Sequence, residues 1–208
     1  MLHFETVKPD TLALLKELMS IEGLKQFNLV GGTALSLQLG HRISVDLDLF
    51  SHDSFDNETI IKVLSTHFNK RFELISSLKN KLGVFSFIDN VKIDICRHDG
   101  KFIGNVYKID GIRMWELKEI AAAKVNAISR RATKKDFWDI NELLNIFSID
   151  EIASFYQEKY NPMLAIGVAR MITYFDDADE SETPNCLNNK TWDEVKKEIK
   201  KKVNNNLK

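Results

Sequence analysis

The sequence predicts an α+β fold: a mixed sheet with flanking helices over residues 1–115, followed by an all-helical part over residues 116–208. Three observations carry this. Short apolar or alternating runs recur between Phe27 and Trp115, bounded by Gly, Asn or Asp. Helical patterns at Pro9–Met19, Thr33–Leu39 and Asn57–Phe68 stand between them. From Glu116 onward the apolar spacing is helical, interrupted only by an acidic, turn-rich stretch from Asp176 to Asn189.

In chain order, Pro9 and Asp10 open a helix whose apolar positions are Leu12, Leu15, Leu18 and Met19. A β-like run, Phe27–Val30, breaks at Gly31-Gly32, and Thr33–Leu39 is helical until Gly40 ends it. Ile43–Phe50 alternates, with Ile43, Val45, Leu47 and Leu49 on one face and Ser44, Asp46 and Asp48 on the other. That pattern is a half-buried strand. Asn57–Phe68 is a helix and Phe72–Ser76 a strand. Val84–Ile88 and Val91–Cys96 flank Asp89-Asn90, a two-residue hairpin signal. Val106–Ile109 and Ile112–Trp115 are split at Asp110-Gly111, and the change to helix falls near Trp115.

The 208 residues suffice for one large domain or two small ones with a real core. With 29 basic and 30 acidic residues the formal net charge is -1, so no overall basicity advertises nucleic acid, and an RNA ligand would need a local basic patch. Two cysteines, Cys96 and Cys186, provide neither a disulfide framework nor metal-ligand spacing. His52, His67 and His98 have no ligand spacing either. The N-terminus has an early acidic residue and no apolar stretch of the signal-peptide kind. No run approaches the roughly 20 apolar residues that span a bilayer. A soluble, cytoplasmic protein with no membrane partner is the expectation.

The chemistry concentrates in VGGTALSLQLGHRISVDLDLF, residues 30–50. Glycines 31 and 32 between a strand and a helix let backbone N–H groups approach a phosphate, at the helix end that favours negative charge. The Thr33 hydroxyl is a candidate further donor. A strand-to-helix turn also needs glycine for steric reasons, so this signal is weak alone. Asp46 and Asp48, two apart on a strand, leave the same face. Such a pair repels itself unless a cation intervenes, and hard oxygen ligands suit Mg²⁺ or Mn²⁺. The ordinary reading of two such aspartates is a solvated strand face, but the apolar alternation argues that the other face is buried. In VKIDIC a third carboxylate, Asp94, stands on the polar face of an apolar strand. If the two strands are neighbours, Asp46, Asp48 and Asp94 converge as a two-metal site for phosphoryl or nucleotidyl transfer.

Here the sequence resembles the DNA polymerase β-like nucleotidyltransferase superfamily: a GG or GS turn, a helix, a strand with DxD, and a third Asp on a later strand. Thirteen residues, 33 through 45, separate Gly32 from Asp46. More narrowly, GGTALSLQLGHRISVDLDLF resembles the AbiEii/AbiGii-type nucleotidyltransferase toxins, through His41, Arg42, Ser44, Asp46, Asp48 and Phe50. The resemblance implies a nucleotidyltransferase-type fold in which a helical C-terminal part completes the site. It implies nucleotide contacts at Gly31, Gly32, Thr33, Arg42 and Ser44, and metal ligation by Asp46, Asp48 and Asp94.

Two further candidates lie in the helical half. Lys124 falls within the apolar arc of Leu117, Ile120, Ala121, Val125 and Ile128. A lysine there either snorkels to water or meets an anion, and the resemblance places it on the incoming triphosphate. Asp136 is spaced from Thr133 as in a capping box, yet it shares a face with Phe137, Ile140, Leu143, Leu144 and Phe147. KDFWDI is similar to a family run with a functional Asp, so Asp136 is a site candidate and Asp139 a weaker one. Arg130, Arg131, Lys134 and Lys135 form a basic patch suited to a phosphate backbone, though such runs are more often solvated surface.

The resemblance implies an NTP-dependent enzyme transferring NMP to RNA, tRNA first among acceptors, or to a protein. It implies a toxin–antitoxin or phage-defence role with a cognate antitoxin encoded nearby. Two alternatives share the fold: a small-molecule, aminoglycoside-like nucleotidyltransferase, and an inactive binding or antitoxin module. The second would be marked by loss of a metal carboxylate, and all three are present.

Overall fold

A computed structural model of the 208-residue chain describes residues 1–75, 83–160 and 165–206. Its centre is a seven-stranded mixed sheet built from β1 (Asn28–Val30), β2 (Leu47–Ser51), β3 (Phe72–Leu74), β4 (Gly83–Ile88), β5 (Val91–Arg97), β6 (Val106–Ile109) and β7 (Ile112–Trp115). The order across the sheet is β3-β4-β5-β2-β1-β7-β6. The sequential hairpins are antiparallel, whereas β2–β5 and β1–β7 pair in parallel.

The hairpin expected at Asp89-Asn90 forms, and the two strands split at Asp110-Gly111 form a second one. Asp89 and Asn90 (φ +51° and +63°), and Asp110 and Gly111 (φ +52° and +83°), adopt left-handed backbone at both central positions. That is the geometry of a two-residue turn matched to strand twist. The strand expected at Phe72–Ser76 is shorter, Phe72–Leu74, and Ser76 lies outside the described residues.

The helices of the first part are α1 (Pro9–Ser20), α2 (Gly31–Leu39) and α3 (Asn57–Phe68). α2 stops at Gly40, whose φ of +70° is the left-handed cap that glycine adopts without steric cost. Asp56 caps α3 by accepting from Thr59 N–H at 2.8 Å. The second part is helical as expected: α4 (Leu117–Arg131), α5 (Lys134–Leu143), α6 (Ile149–Lys159), α7 (Ala165–Ile172) and α8 (Trp192–Asn206). Helices α4 and α5 pack directly on α2. One apolar cluster, including Leu15, Phe27, Leu35, Trp115, Phe137 and Trp138, runs through both parts.

One expected element changes. The strand expected at Ile43–Phe50 starts only at Leu47, and residues 43–46 form an irregular arm before it. The arm's hydrogen bonds go elsewhere: Ile43 N–H donates to the Asn185 carbonyl at 2.9 Å and Ser44 N–H to the Thr6 carbonyl at 2.9 Å. Val45, expected inside, is 53% exposed. Satisfying the backbone through two distant segments outweighs continuing the ladder.

Candidate active site

The site lies where the site face of β2 and β5 meets the start of α2 and the flank of α4, around a cavity of about 580 Å³. Asp48 and Asp94 are direct cross-strand partners, so both carboxylates stand on this face, side by side. The juxtaposition that the sequence required of Asp94 is therefore present. Asp46 sits on the arm just before β2, its Oδ2 3.9 Å from Lys135 Nζ. It borders the cavity but stands outside the Asp48–Asp94 pair. Among the described residues no three carboxylates, histidines or cysteines gather closely enough to form a ready-made metal cage.

The pair itself is under-compensated. Burial, then the neighbouring Asp94 charge, pushes the Asp48 carboxyl up to about 6, against the opposing pull of Lys124. Asp94 Oδ2 accepts from Lys92 Nζ at 2.6 Å, whereas its Oδ1 is buried with no partner. An orphaned carboxylate oxygen beside a second carboxylate is a donor set that fits a hard divalent cation.

The glycine turn is shaped by these side chains. Gly31 has φ +66°, and a Cβ there would collide with the Asp48 carboxylate. A Cβ on Gly32 would collide with the Arg42 guanidinium. The turn is thus glycine because two charged groups press against it, and both glycines border the cavity.

Thr33 works inward. Its buried hydroxyl donates to the Asp46 carbonyl and meets the Ser44 hydroxyl at 2.8 Å, tying the carboxylate arm to α2. The structure therefore places Thr33 beneath the arm and Ser44 on it, where Ser44 also borders the cavity.

Behind the rim lies a buried ionic cluster. Arg42, 4% exposed, donates to Asp139 in a two-point fork, Nε to Oδ1 at 2.7 Å and Nη2 to Oδ2 at 2.9 Å. His41 Nε2 meets the same carboxylate at 2.7 Å. Lys124 Nζ lies 2.5 Å from Asp139 Oδ2 and 3.1 Å from Asp136 Oδ1. Burial opposes ionisation of Asp139, but Arg42 and Lys124 hold its carboxyl well below the usual range. Burial likewise works against the Lys124 charge, and the charges of Asp139 and Asp136 more than offset it, so the ammonium is held above its ordinary value. The lysine does not snorkel.

Asp136 is also reached by the Thr133 hydroxyl at 2.6 Å, and Thr133 makes no side-chain cap to the helix backbone. The expected capping box is replaced by a side-chain pair: the Thr133 hydroxyl donates to the Asp136 carboxylate, while the Asp136 N–H donates to the Thr133 carbonyl at 2.9 Å. Asp139, the weaker candidate from sequence, is the hub of the cluster. The available signal was the three-residue spacing of two aspartates on the apolar face of α5. The 182–185 segment, which also borders the cavity, carried no local signal. Of the basic patch, Arg131 and Lys135 reach the cavity edge.

Residues 13–165 match the family described as nucleotidyl transferase AbiEii toxin, type IV TA system. The chain belongs to the AbiEii nucleotidyltransferase toxin family. Membership accounts for the mixed sheet bearing a GG turn and carboxylates, and implies a cognate antitoxin. An uncharacterised protein of Aquifex aeolicus is 28% identical over 203 residues, 95% of this chain and 96% of its own. JHP933 from Helicobacter pylori superposes with a TM-score of 0.60 at 18% identity, over 95% of this chain and 92% of its own. The nucleotidyltransferase toxin MenT4 of Mycobacterium tuberculosis H37Rv gives 0.57 at 13% identity, over 94% and 84%. The two structural likenesses concern the fold. No described helix of this AbiEii-family protein is long and apolar enough to cross a membrane.

Proposed function

We propose that this AbiEii-family toxin transfers a nucleoside monophosphate from an NTP to an RNA acceptor, of tRNA type, with Mg²⁺ or Mn²⁺. The observation that carries the proposal is the in-register Asp48–Asp94 pair with a buried, unpartnered oxygen, set beside the glycine turn in one cavity. Asp48 and Asp94, with Asp46 adjacent, would hold the metal. When bound, it neutralises charge on the triphosphate and makes the acceptor hydroxyl more acidic.

The chain's own groups divide the remaining work. First-turn N–H groups at Gly31 and Gly32 meet phosphate oxygens. Lys124, fixed between two aspartates at the cavity wall, presents a permanent positive charge to the triphosphate. Asp94 accepts the proton of the acceptor hydroxyl as its oxygen bonds to the α-phosphorus and pyrophosphate leaves. Arg42 and Ser44 hold the carboxylate arm and the turn in register. Arg131 and Lys135 at the rim favour a polyanionic acceptor over a cationic small molecule. The biological role that follows is growth arrest in a toxin–antitoxin or phage-defence pair in the cytoplasm, opposed by an antitoxin encoded nearby.

The test is incubation of the purified protein with total RNA, Mg²⁺ and each labelled NTP, beside an Asp46→Ala, Asp48→Ala variant. Label in tRNA-sized RNA only with the unmutated protein is the expected result. Label on protein instead would replace the acceptor, and no label anywhere would favour a small-molecule substrate or a binding module.

A further inference from the structure

Beside the carboxylate pair stands a lysine that the transfer chemistry above leaves without a task. Side chains on one face of a strand recur every second residue, so Lys92 is the neighbour of Asp94 along β5. On the β4 side its cross-strand partner is Phe87. On the other side the ladder with β2 begins at Leu47 opposite Ile93, so no residue of β2 faces Lys92. Continued by one step, that register would set Asp46 against it. Residues 43–46 leave the sheet instead, and Asp46 lies 3.9 Å from Lys135 on α5. Lys92 is left to pair along its own strand, and its Nζ donates to Asp94 Oδ2 at 2.6 Å.

This bond divides the work of one carboxylate between its two oxygens. Oδ2 is held by a short, charge-assisted hydrogen bond, and Oδ1 is buried with no partner. Without such a tether an aspartate turns freely about its last torsion, and either oxygen can take either place. The lysine acts from outside: its side chain is 42% exposed against 16% for Asp94, and Asp94 lines the cavity while Lys92 does not. Two effects on a cation therefore oppose each other. The ammonium repels it, but water screens a charge so exposed. The fixed carboxylate favours it, and that effect works at contact. Partners that orient a ligating carboxylate in this way decide much of a metal site's affinity.

Resting on the metal-dependent transfer reading above, we propose that Lys92 is a positioning residue: by holding Oδ2 of Asp94 it reserves Oδ1, beside Asp48, for the divalent cation. Lys92 itself touches neither metal nor substrate and acts only through Asp94.

Lys92→Met keeps an unbranched stem and removes the donor, whereas Lys92→Arg keeps both donor and charge. Each protein is titrated with Mn²⁺, alone and with a non-hydrolysable NTP analogue, and bound ion is read from the loss of the free-ion EPR signal. Thermal unfolding in metal-free buffer shows that the variants are folded. The expected result is Mn²⁺ binding weakened about tenfold or more in Lys92→Met and by no more than about threefold in Lys92→Arg. Repulsion alone predicts the opposite sign. Tighter Mn²⁺ binding by Lys92→Met would therefore overturn the proposal and make the lysine a competitor of the metal. Unchanged affinity would overturn it too, leaving Lys92 a structural partner of Asp94, as would an arginine variant no better than the methionine one. Should Lys92→Met fail to fold, Lys92→Thr, well suited to a strand, is read identically. A parent protein that binds no Mn²⁺ in either condition would overturn the metal-dependent reading itself, and the role of Lys92 with it.

Discussion

Two groups of charges face each other across the cavity wall, and they are built in opposite ways. In the cluster at the junction of α2, α4 and α5, Arg42 and Lys124 balance Asp136 and Asp139, and every charge has a partner within hydrogen-bonding range. On the sheet, Asp94 pairs with one partly exposed lysine, Lys92, and its other carboxylate oxygen is left unmatched beside Asp48. The first arrangement is balanced internally, with Lys124 at the cavity wall. The second is open, and its deficit is one of positive charge. A fold that neutralises buried carboxylates this thoroughly in one place leaves a carboxylate oxygen unmatched in another, as the proposed metal site requires.

The comparison breaks most visibly at its balanced side. Asp139→Ala leaves Arg42 and Lys124 buried without their shared anion, at a cost of about 3–5 kcal/mol. Urea unfolding would show this as a lower midpoint, and a loss below about 1 kcal/mol would mean that the cluster is not a structural hub.

The open side should respond with the opposite sign. Asp48→Asn in metal-free buffer removes a charge that the fold disfavours, so the variant is more stable than the parent at pH 7.5 while nucleotidyl transfer is lost. The shift from 3.8 to about 6 corresponds to about 3 kcal/mol. The folded carboxyl binds its proton more tightly than the unfolded one, so the parent loses stability as pH rises from about 4 to about 6. The advantage of Asp48→Asn is therefore full above pH 6 and disappears as pH falls towards 4. Comparing the two proteins across this range cancels the effect of His98, whose burial pulls its imidazole down to about 3 in both. A variant advantage independent of pH would contradict the account.

Two smaller changes sharpen the boundary between the groups. Gly32→Ala drives a methyl group into the Arg42 guanidinium. It should cost about 1–3 kcal/mol and reduce transfer without touching a carboxylate. Thr33→Val removes the hydroxyl that ties the Asp46 carbonyl and Ser44 to α2. About 1 kcal/mol is expected in thermal unfolding, with a larger relative drop in transfer because the carboxylate arm loosens.

Much of this was legible locally. The Asp89-Asn90 turn marked its hairpin and Asp110-Gly111 the break between two strands, because positive φ restricts which residues fit. Alternation placed Asp48 and Asp94 on polar strand faces, and their adjacency in the sheet completed the pair. What local pattern could not convey was long-range backbone pairing. The 43–46 arm alternates like a strand, yet its hydrogen bonds run to Thr6 and Asn185, and Arg42 bridges to Cys186. Asp139 was underrated for a related reason: its partners Arg42 and His41 lie nearly 100 positions earlier in the chain, so a buried aspartate on an apolar helix face gave no hint of what neutralised it.

The most direct test of the open pair is thermal unfolding with and without Mg²⁺ and a non-hydrolysable NTP analogue, for the parent protein and for Asp48→Asn, Asp94→Asn. The analogue should stabilise the parent only when Mg²⁺ is present, through preferential binding to the folded state, and the variant should show no Mg²⁺-dependent rise. An equal Mg²⁺-dependent rise in both proteins would contradict this.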